Sequence, residues 1–447
     1  MTMWSVPSDA EIRELLVERI DVEQQGVGII VGVIDARGRR IVAHGRYGLG
    51  GAGPPLDGDT VFEIGSITKV LTTLILADMA AGGEVALDDP VAKFLPAGVG
   101  APGRGGREIT LIDLATHTSG LPRWPSDMAP AEMSTADWSN PYADYSVDRL
   151  YQFLKAYKLR RDIGGDYLYS NLGMGLLGHA LAQSLGVDYE TLLRDRITMP
   201  LGMASTAVNL SPALVARFAV GHDQQRRPVA NWEMPTFAGA GAVRSTANDL
   251  LIFLAAQLSF SETPLQTAMS AQLEPRRRSD TTDLQGQGWR IRPGATGEIL
   301  WHGGATGGYR CFLMFDRRRR VGVTVLTNTA STRNDDIGFH LLAGSPLSPP
   351  PPLREAIHLA APVLERYVGR YQLSASRAIF ISYEQGRLYA QLTGQWRFEV
   401  FPQSPTEFFW RVAEATATFE VGPDGHAMGL ILHQNGRDLP ARRVSPD

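Results

Sequence analysis

The chain carries one cysteine, Cys311, and only four lysines, Lys69, Lys93, Lys155 and Lys158, against a combined Lys and Arg total of 43 in 447 residues. A single cysteine excludes an intrachain disulfide and fits a reducing compartment. Lying inside an apolar strand pattern, Cys311 reads as a core residue and not as a nucleophile. Positive charge is not in excess: the formal net charge is −4, with acids and bases mixed along the chain, which leaves no case for nucleic-acid binding. The one dense basic run, Arg317 to Arg320, sits between two strand-like stretches and reads as a solvated hairpin turn. No window is apolar enough to span a bilayer, and the opening MTMWSVPSDAEIRELLVERI lacks a cationic segment followed by an apolar one. The expectation is a cytoplasmic protein with no membrane segment.

What is present suffices for a large core: 44% of the residues are hydrophobic, and the length calls for one large domain plus something smaller. A hairpin at 28–48, GIIVGVIDARGRRIVAHGRYG, opens the fold. Ser66 to Ala81 reads as a helix apolar almost all round, hence buried, and closed by Gly82 and Gly83. Helical patterns dominate from about 110 to 260, and strands return in QGWRI, EILWHGG and a hairpin over 309–328. The Gly-rich 98–106 lacks the Gly-Lys-Ser/Thr of a phosphate loop and reads as plain loop. Strands at both ends with helices between predict one α+β layer structure, an antiparallel sheet built from distant segments with an inserted helical lobe. That domain occupies 1–344. At 345–354, SPLSPPPPLR holds four consecutive prolines, which favour extended polyproline geometry and mark a linker. The strand-like runs from 355 to 447, including AIFISYE, RLYAQLT, FEVFP and GLILHQN, predict a small antiparallel barrel or sandwich.

One of the rare lysines stands a helical turn after a serine, in Ser66-Ile-Thr-Lys69. Arginine stays protonated at any workable pH, whereas burial and nearby cations can push lysine to neutrality, so a lysine here can cycle a proton. Three residues apart on a helix, the two side chains reach one another, at the end where the dipole favours a developing oxyanion. On this tetrad alone, a serine N-cap followed by a surface lysine explains the pattern as well. Two further motifs bear on the choice: Tyr169-Ser-Asn171 before a helical pattern, and a strand running into His302-Gly303-Gly304, where glycines allow close backbone approach by a ligand.

In that order the three motifs resemble those of the serine β-lactamase and penicillin-recognising hydrolases, in the branch of class C β-lactamases, D,D-peptidases, D-aminopeptidases and related carboxylesterases: Ser-x-x-Lys, Tyr-x-Asn, then Lys-Thr-Gly or His-x-Gly. Framework-like segments accompany them, LATHTSGLP at 114–122, MPLGMAST at 199–206 and GAVRSTANDL at 241–250, and the resemblance runs from about 10 to 340. It implies a β-lactamase-like fold in which Ser66 is the acylated nucleophile and Lys69 and Tyr169 share the proton work. Asn171 would hold the substrate amide or the lysine, and the amides of Ser66 and Ala305 would form the oxyanion hole. His302 would replace the usual lysine and Gly303 the usual hydroxyl residue, with Gly304 completing the substrate-binding strand. Arg310 is either a substitute cation for an anionic substrate end or a solvent-facing strand arginine, and His117 serves a framework loop. The C-terminal segment is similar to lipocalin-like barrels appended to some cytoplasmic members, where it borders the active site or an oligomer interface.

The resulting expectation is a serine hydrolase acting through an acyl-enzyme on a small amide or short peptide, with a D-residue preference entertained. A carboxylesterase is the alternative, followed by a β-lactamase and by a catalytically silent binding protein on the same fold. No cofactor or metal is called for, and a homo-oligomer is left open.

Overall fold

A computed structural model describes residues 4–48, 53–128, 140–274, 276–279, 281–294, 297–330, 334–349, 354–374, 377–393, 397–410, 415–423, 425–434 and 437–444. The chain divides into two compact units, Met1–Ser348 and Pro349–Asp447. Pro350 to Leu353 of the expected linker lie outside the described residues.

A helix, not the hairpin, opens the first unit. Helix α1 (Asp9–Val17) starts at Ser8, whose side chain accepts from the Glu11 amide while Glu11 reaches back to the Ser8 amide. This Ser-x-x-Glu capping box is a local signal in the sequence that the hairpin reading passed over. The hairpin follows as β1 (Gly28–Asp35) and β2 (Gly38–Gly45). The remaining strands of the unit are β3 (Val61–Glu63), β4 (Arg244–Thr246), β5 (Arg277–Arg278), β6 (Leu284–Gln285), β7 (Arg290–Gly294), β8 (Gly297–Ala305), β9 (Arg310–Asp316) and β10 (Val321–Thr327). All pairings of the main sheet are antiparallel, in the order β2-β1-β10-β9-β8-β7-β6-β5, while β3 and β4 form a separate ribbon. The N-terminal hairpin thus joins strands almost 300 residues later, as the split pattern of strands predicts.

Every residue of β1 is buried, because helices cover both faces of the sheet. On one face Ile12 and Leu16 of α1 and Ile337 and Leu341 of the helix Asp335–Ala343 pack on Val31, Val33, Phe312 and Met314. On the other lies the helix Ala247–Gln257, whose Leu251 and Leu254 sit where side chains at Gly32 and Gly322 would project. Helix α2 (Thr68–Ala81) buries all of its residues but Asp78, Ala80 and Ala81, and Gly83, at φ +72°, ends it. The inserted lobe contains α3 (Leu111–Ala115), α4 (Val147–Ala156) and α5 (Asn171–Leu185).

The arginine run between β9 and β10 is not merely solvated. The amides of Arg318 and Arg319 donate to the buried Asp316 carboxylate at 2.9 and 3.0 Å. The Arg319 guanidinium donates to Leu342 O and the Arg320 guanidinium to Leu258 O and Ser259 O. Both arginines therefore satisfy carbonyls at helix C-termini, where cations are favoured.

In the second unit eight antiparallel strands close into a barrel: β11 (Gly369–Ser374), β12 (Arg377–Glu384), β13 (Arg387–Leu392), β14 (Arg397–Pro402), β15 (Glu407–Trp410), β16 (Ala415–Val421), β17 (Ala427–Gln434) and β18 (Arg437–Val444). Its interior is filled by side chains, with Tyr367, Tyr371, Phe408 and Phe419 set among Ala390, Ala417 and Ala441. Alternating large and small residues is how a small barrel fills its taper.

Candidate active site

Ser66 stands on a 3₁₀ turn, Gly65–Ile67, that feeds directly into α2, so the expected helix starts two residues later than the pattern implies. The turn is pressed against the end of β8. Gly65 has φ +49°, and a Cβ on it would lie 2.7 Å from the Ala305 nitrogen; a Cβ on Gly304 would lie 1.9 Å from Ile64 O. Only glycine permits this approach, and the approach puts the Ala305 amide beside the Ser66 turn. Thr306 N–H donates to Tyr309 O at 3.0 Å, which makes that pair the hydrogen-bonded one. The neighbouring pair, Ala305 with Arg310, is then the non-bonded type, and the Ala305 N–H faces away from β9. Strand β7 pairs no further along β8 than Trp301, so from His302 to Ala305 that edge is open.

Two side chains converge on the serine oxygen. Lys69 Nζ lies 2.9 Å and the Tyr169 hydroxyl 2.8 Å from Ser66 Oγ. Lys69 is fully buried and also donates to Ala240 O at 2.7 Å. Burial lowers the lysine pKa, against the influence of Tyr169, which raises it, and with that of Arg123, which lowers it further. For Tyr169, burial alone would raise the pKa, but Lys69, Arg123 and the hydrogen bonds from Lys69 and Ser66 outweigh it and bring the phenol below its ordinary value. Both groups are thus held below their ordinary values.

His302, on β8, lies with its ring 6.5 Å from that of Tyr169. Its Nδ1 is 2.7 Å from Gly303 O, an acceptor, so Nδ1 carries the proton and Nε2 the lone pair. Burial, then Lys69 and Arg290, hold its pKa down to about 3, and at neutral pH the imidazole is uncharged. A side chain at Gly303 would meet Phe312, on the face covered by the helix Asp335–Ala343, so the missing hydroxyl tells less about substrate than the motif spacing implies. Asn171 opens α5 with its amide on Arg123 O at 3.1 Å, and its side-chain Oδ1 is buried without a partner. His117 does serve the framework: held at φ +60°, its Nδ1 accepts from the Ser170 amide at 3.2 Å, and its ring lies 4.6 Å from that of Tyr169.

Arg310 is neither a substitute cation at the site nor solvent-facing. It is half-buried and interacts with Asp335, because the alternation of β9 places it on the face of Phe312. Cys311 donates to Glu63 O at 3.2 Å, and burial pushes its thiol pKa up, as befits a core residue. The residues that the motifs missed are Arg123, 5.0 Å from the Tyr169 ring centre, Arg290, which bears on His302 and donates to the Tyr167 hydroxyl at 3.2 Å, and the carbonyl of Ala240. Arg123 directly follows the framework segment LATHTSGLP, the one sequence signal that could have pointed to it. Among the described residues no cluster of His, Cys, Asp and Glu could hold a metal ion, and no helix is long and apolar enough to cross a membrane.

The family model described as Beta-lactamase matches residues 13–344. The chain belongs to the Beta-lactamase family. A second model, a domain of unknown function (DUF3471), matches residues 353–443. Penicillin-binding protein 4* of Bacillus subtilis (strain 168) is 26% identical over 92% of this chain and 94% of its own length. The D-alanyl-D-alanine-carboxypeptidase/endopeptidase AmpH of Escherichia coli (strain K12) is 31% identical over 68% of this chain and 80% of its own. Among solved structures, D-alanine carboxypeptidase AmpC from Burkholderia cenocepacia superposes with a TM-score of 0.64 at 25% identity, covering 75% of this chain and 99% of that one. As a member of the Beta-lactamase family with such relatives, the protein is a serine hydrolase.

Proposed function

We propose that the protein cleaves a small amide or short peptide, with a D-residue on the acyl side, through an acyl-enzyme on Ser66. The observation that carries the reading is the convergence of Lys69 Nζ and the Tyr169 hydroxyl on Ser66 Oγ, at 2.9 and 2.8 Å, beside two amides at the Ser66–Ala305 approach. Whichever partner is deprotonated takes the serine proton as Oγ attacks the substrate carbonyl. The oxyanion of the tetrahedral intermediate accepts from the N–H groups of Ser66 and Ala305. As the C–N bond breaks, the same Lys69–Tyr169 pair returns the proton to the leaving amine, and a water then repeats the sequence on the acyl-enzyme. Asn171 Oδ1, buried and unpartnered, is the acceptor available to a substrate amide. The D-residue preference draws support from the carboxypeptidase and endopeptidase names of the relatives.

His302 gives the reading its selectivity. A neutral imidazole offers no permanent charge to a carboxylate next to the scissile bond, so uncharged leaving groups are favoured over carboxylate-bearing ones by about tenfold or more. The same feature supports the second reading, a carboxylesterase, since a simple ester needs no such cation. The reading places the protein in the cytoplasm, supported by its lone, buried cysteine. The test is intact-mass analysis after a fluorophosphonate probe, then a panel of D- and L-aminoacyl anilides, p-nitrophenyl esters and nitrocefin. An adduct on Ser66 with D-anilides turned over fastest supports the proposal; esters turned over fastest favour the carboxylesterase. Nitrocefin rivalling the best anilide would make it a β-lactamase, and no adduct at all a silent binder.

A further inference from the structure

The imidazole at position 302 leaves a charge unaccounted for. A phenol that accepts a serine proton near neutral pH has to be held as its anion by cations, and Lys69, with a proton of its own to move, is a poor permanent one. From α2, Lys69 Nζ lies 4.9 Å from the Tyr169 ring centre. Just past the end of α3, His117 lies tilted against the ring but is buried and held neutral, its pKa well below the ordinary value. From β8, His302 faces the ring with its proton on Nδ1, turned to Gly303 O, and Arg290 on β7 bears on His302 and His117. The buried Tyr142 phenol is a further neutral neighbour. The remaining group is Arg123, whose guanidinium carbon lies 5.0 Å from the Tyr169 ring centre and 5.7 Å from that of Trp124.

Two features make Arg123 a built part of this site and not a passing surface charge. Its carbonyl accepts from the amides of Asn171 and Leu172, both at 3.1 Å, and the carbonyl of Pro122 before it accepts from the Ser170 hydroxyl at 2.7 Å. The backbone that carries the guanidinium is thereby bolted to the same Tyr169–Leu172 segment that carries the phenol. Among the described residues the side chain contacts these two rings and no carboxylate. Arginine cannot surrender its proton, so unlike Lys69 it stays a cation through the whole cycle.

We propose that Arg123 is a positioning residue that stands in for the cation absent at position 302, lying over Tyr169 and holding that side chain as phenolate so that it can take the proton of Ser66. The proposal rests on the reading of Ser66 as nucleophile and Tyr169 as proton acceptor. It places the second positive charge of the site on the loop after α3 instead of on β8.

The experiment follows the pH dependence, from 5 to 10, of fluorophosphonate labelling and of turnover of a neutral p-nitrophenyl ester, in the full-length protein. In Arg123→Gln the pH at which Ser66 becomes half-activated should move up by about 1 to 2 pH units, and labelling at pH 7 should fall about tenfold or more. Arg123→Lys should lie between wild type and Arg123→Gln, because it keeps a charge but not the planar group that lies over the ring. The double variant Arg123→Gln, His302→Lys should recover most of the lost rate, since it restores a cation on the other side of Tyr169. His302→Lys alone should move the activation pH down, an arm that does not depend on Arg123→Gln folding. An unshifted profile in Arg123→Gln, no recovery in the double variant, or a loss confined to the KM of carboxylate-bearing substrates would overturn the proposal; the last would make Arg123 a substrate clamp. Absence of labelling in the wild type would instead remove the underlying reading of Ser66.

Discussion

The two units of the chain bury different things. The hydrolase unit takes Lys69, Glu63, His117, Asp113, Asp249 and His302 out of solvent, whereas the barrel buries no charged side chain among its described residues. Two phenols of its core, those of Tyr367 and Tyr371, donate to backbone carbonyls, of Pro405 and Tyr367. Burying an ionisable group is costly unless it is paired or neutralised. The hydrolase unit bears that cost around Ser66, where a lysine and a phenol with shifted proton affinities are what the chemistry needs. Among its described residues the barrel core avoids that cost, and the contrast lies in what each unit takes out of solvent.

The contrast breaks most sharply at Ser66. Ser66→Ala should lower turnover by on the order of 10⁴-fold and abolish probe labelling, while circular dichroism and the melting temperature stay near wild type, because a serine at a helix start contributes about 1 kcal/mol at most. Labelling that persists on another serine would remove the assignment. Next come the partners. Lys69→Arg should be nearly as damaging as Lys69→Ala, since it keeps charge but cannot cycle a proton, and Tyr169→Phe should cost about a hundredfold in kcat/KM. Retention of more than about a tenth of wild-type turnover in Lys69→Arg would reduce the lysine to an electrostatic role.

A smaller effect separates the units by pH. His302 titrates near 3 in the folded protein, below its ordinary value of 6.5, so between those limits the unfolded chain binds the proton first. The stability it permits is complete above about pH 6.5 and is lost as pH falls toward 3, and His117 acts in the same sense. In scanning calorimetry at pH 7 and pH 5, the hydrolase transition should fall more in wild type than in His302→Asn, and the barrel transition should fall equally in both. The least effect on catalysis belongs to the barrel core. Phe419→Ala should cost about 3 to 5 kcal/mol of barrel stability and leave Ser66 labelling within about twofold. A large loss of labelling would mean that the units are energetically coupled.

Much of the candidate site was legible through the resemblance carried by three ordered motifs, and the structure brings Lys69 and Tyr169 of two of them onto Ser66 Oγ. Arg123 was not legible, since it meets Tyr169 only after the chain has returned across 46 residues, and an arginine in a loop looks the same whatever it faces. Ala240 was beyond reach for a different reason: its contribution is a carbonyl, which every residue has. In the fold, the split sheet and the run of buried helix followed from hydrophobic pattern, whereas α1 was overlooked despite its cap. Strand β18, RDLPARRV, carries charges and Pro440, and the only residue it fully buries is Ala441. A strand that sends only Ala441 and the partly buried Leu439 to a core leaves little apolar periodicity to read.

The closure of the barrel has a bearing on how this protein can meet others. Strand β18 pairs with β11 through Arg370–Val444, Tyr371–Arg443 and Gln372–Arg442, so the ring has no first or last strand. An open sheet of the same composition would present a row of unfilled donors and acceptors on which a second chain could grow. Closure of the ring removes that open edge. Association through this unit would then fall to side chains on the outer wall, where shape and charge set the partner, and not to strand addition.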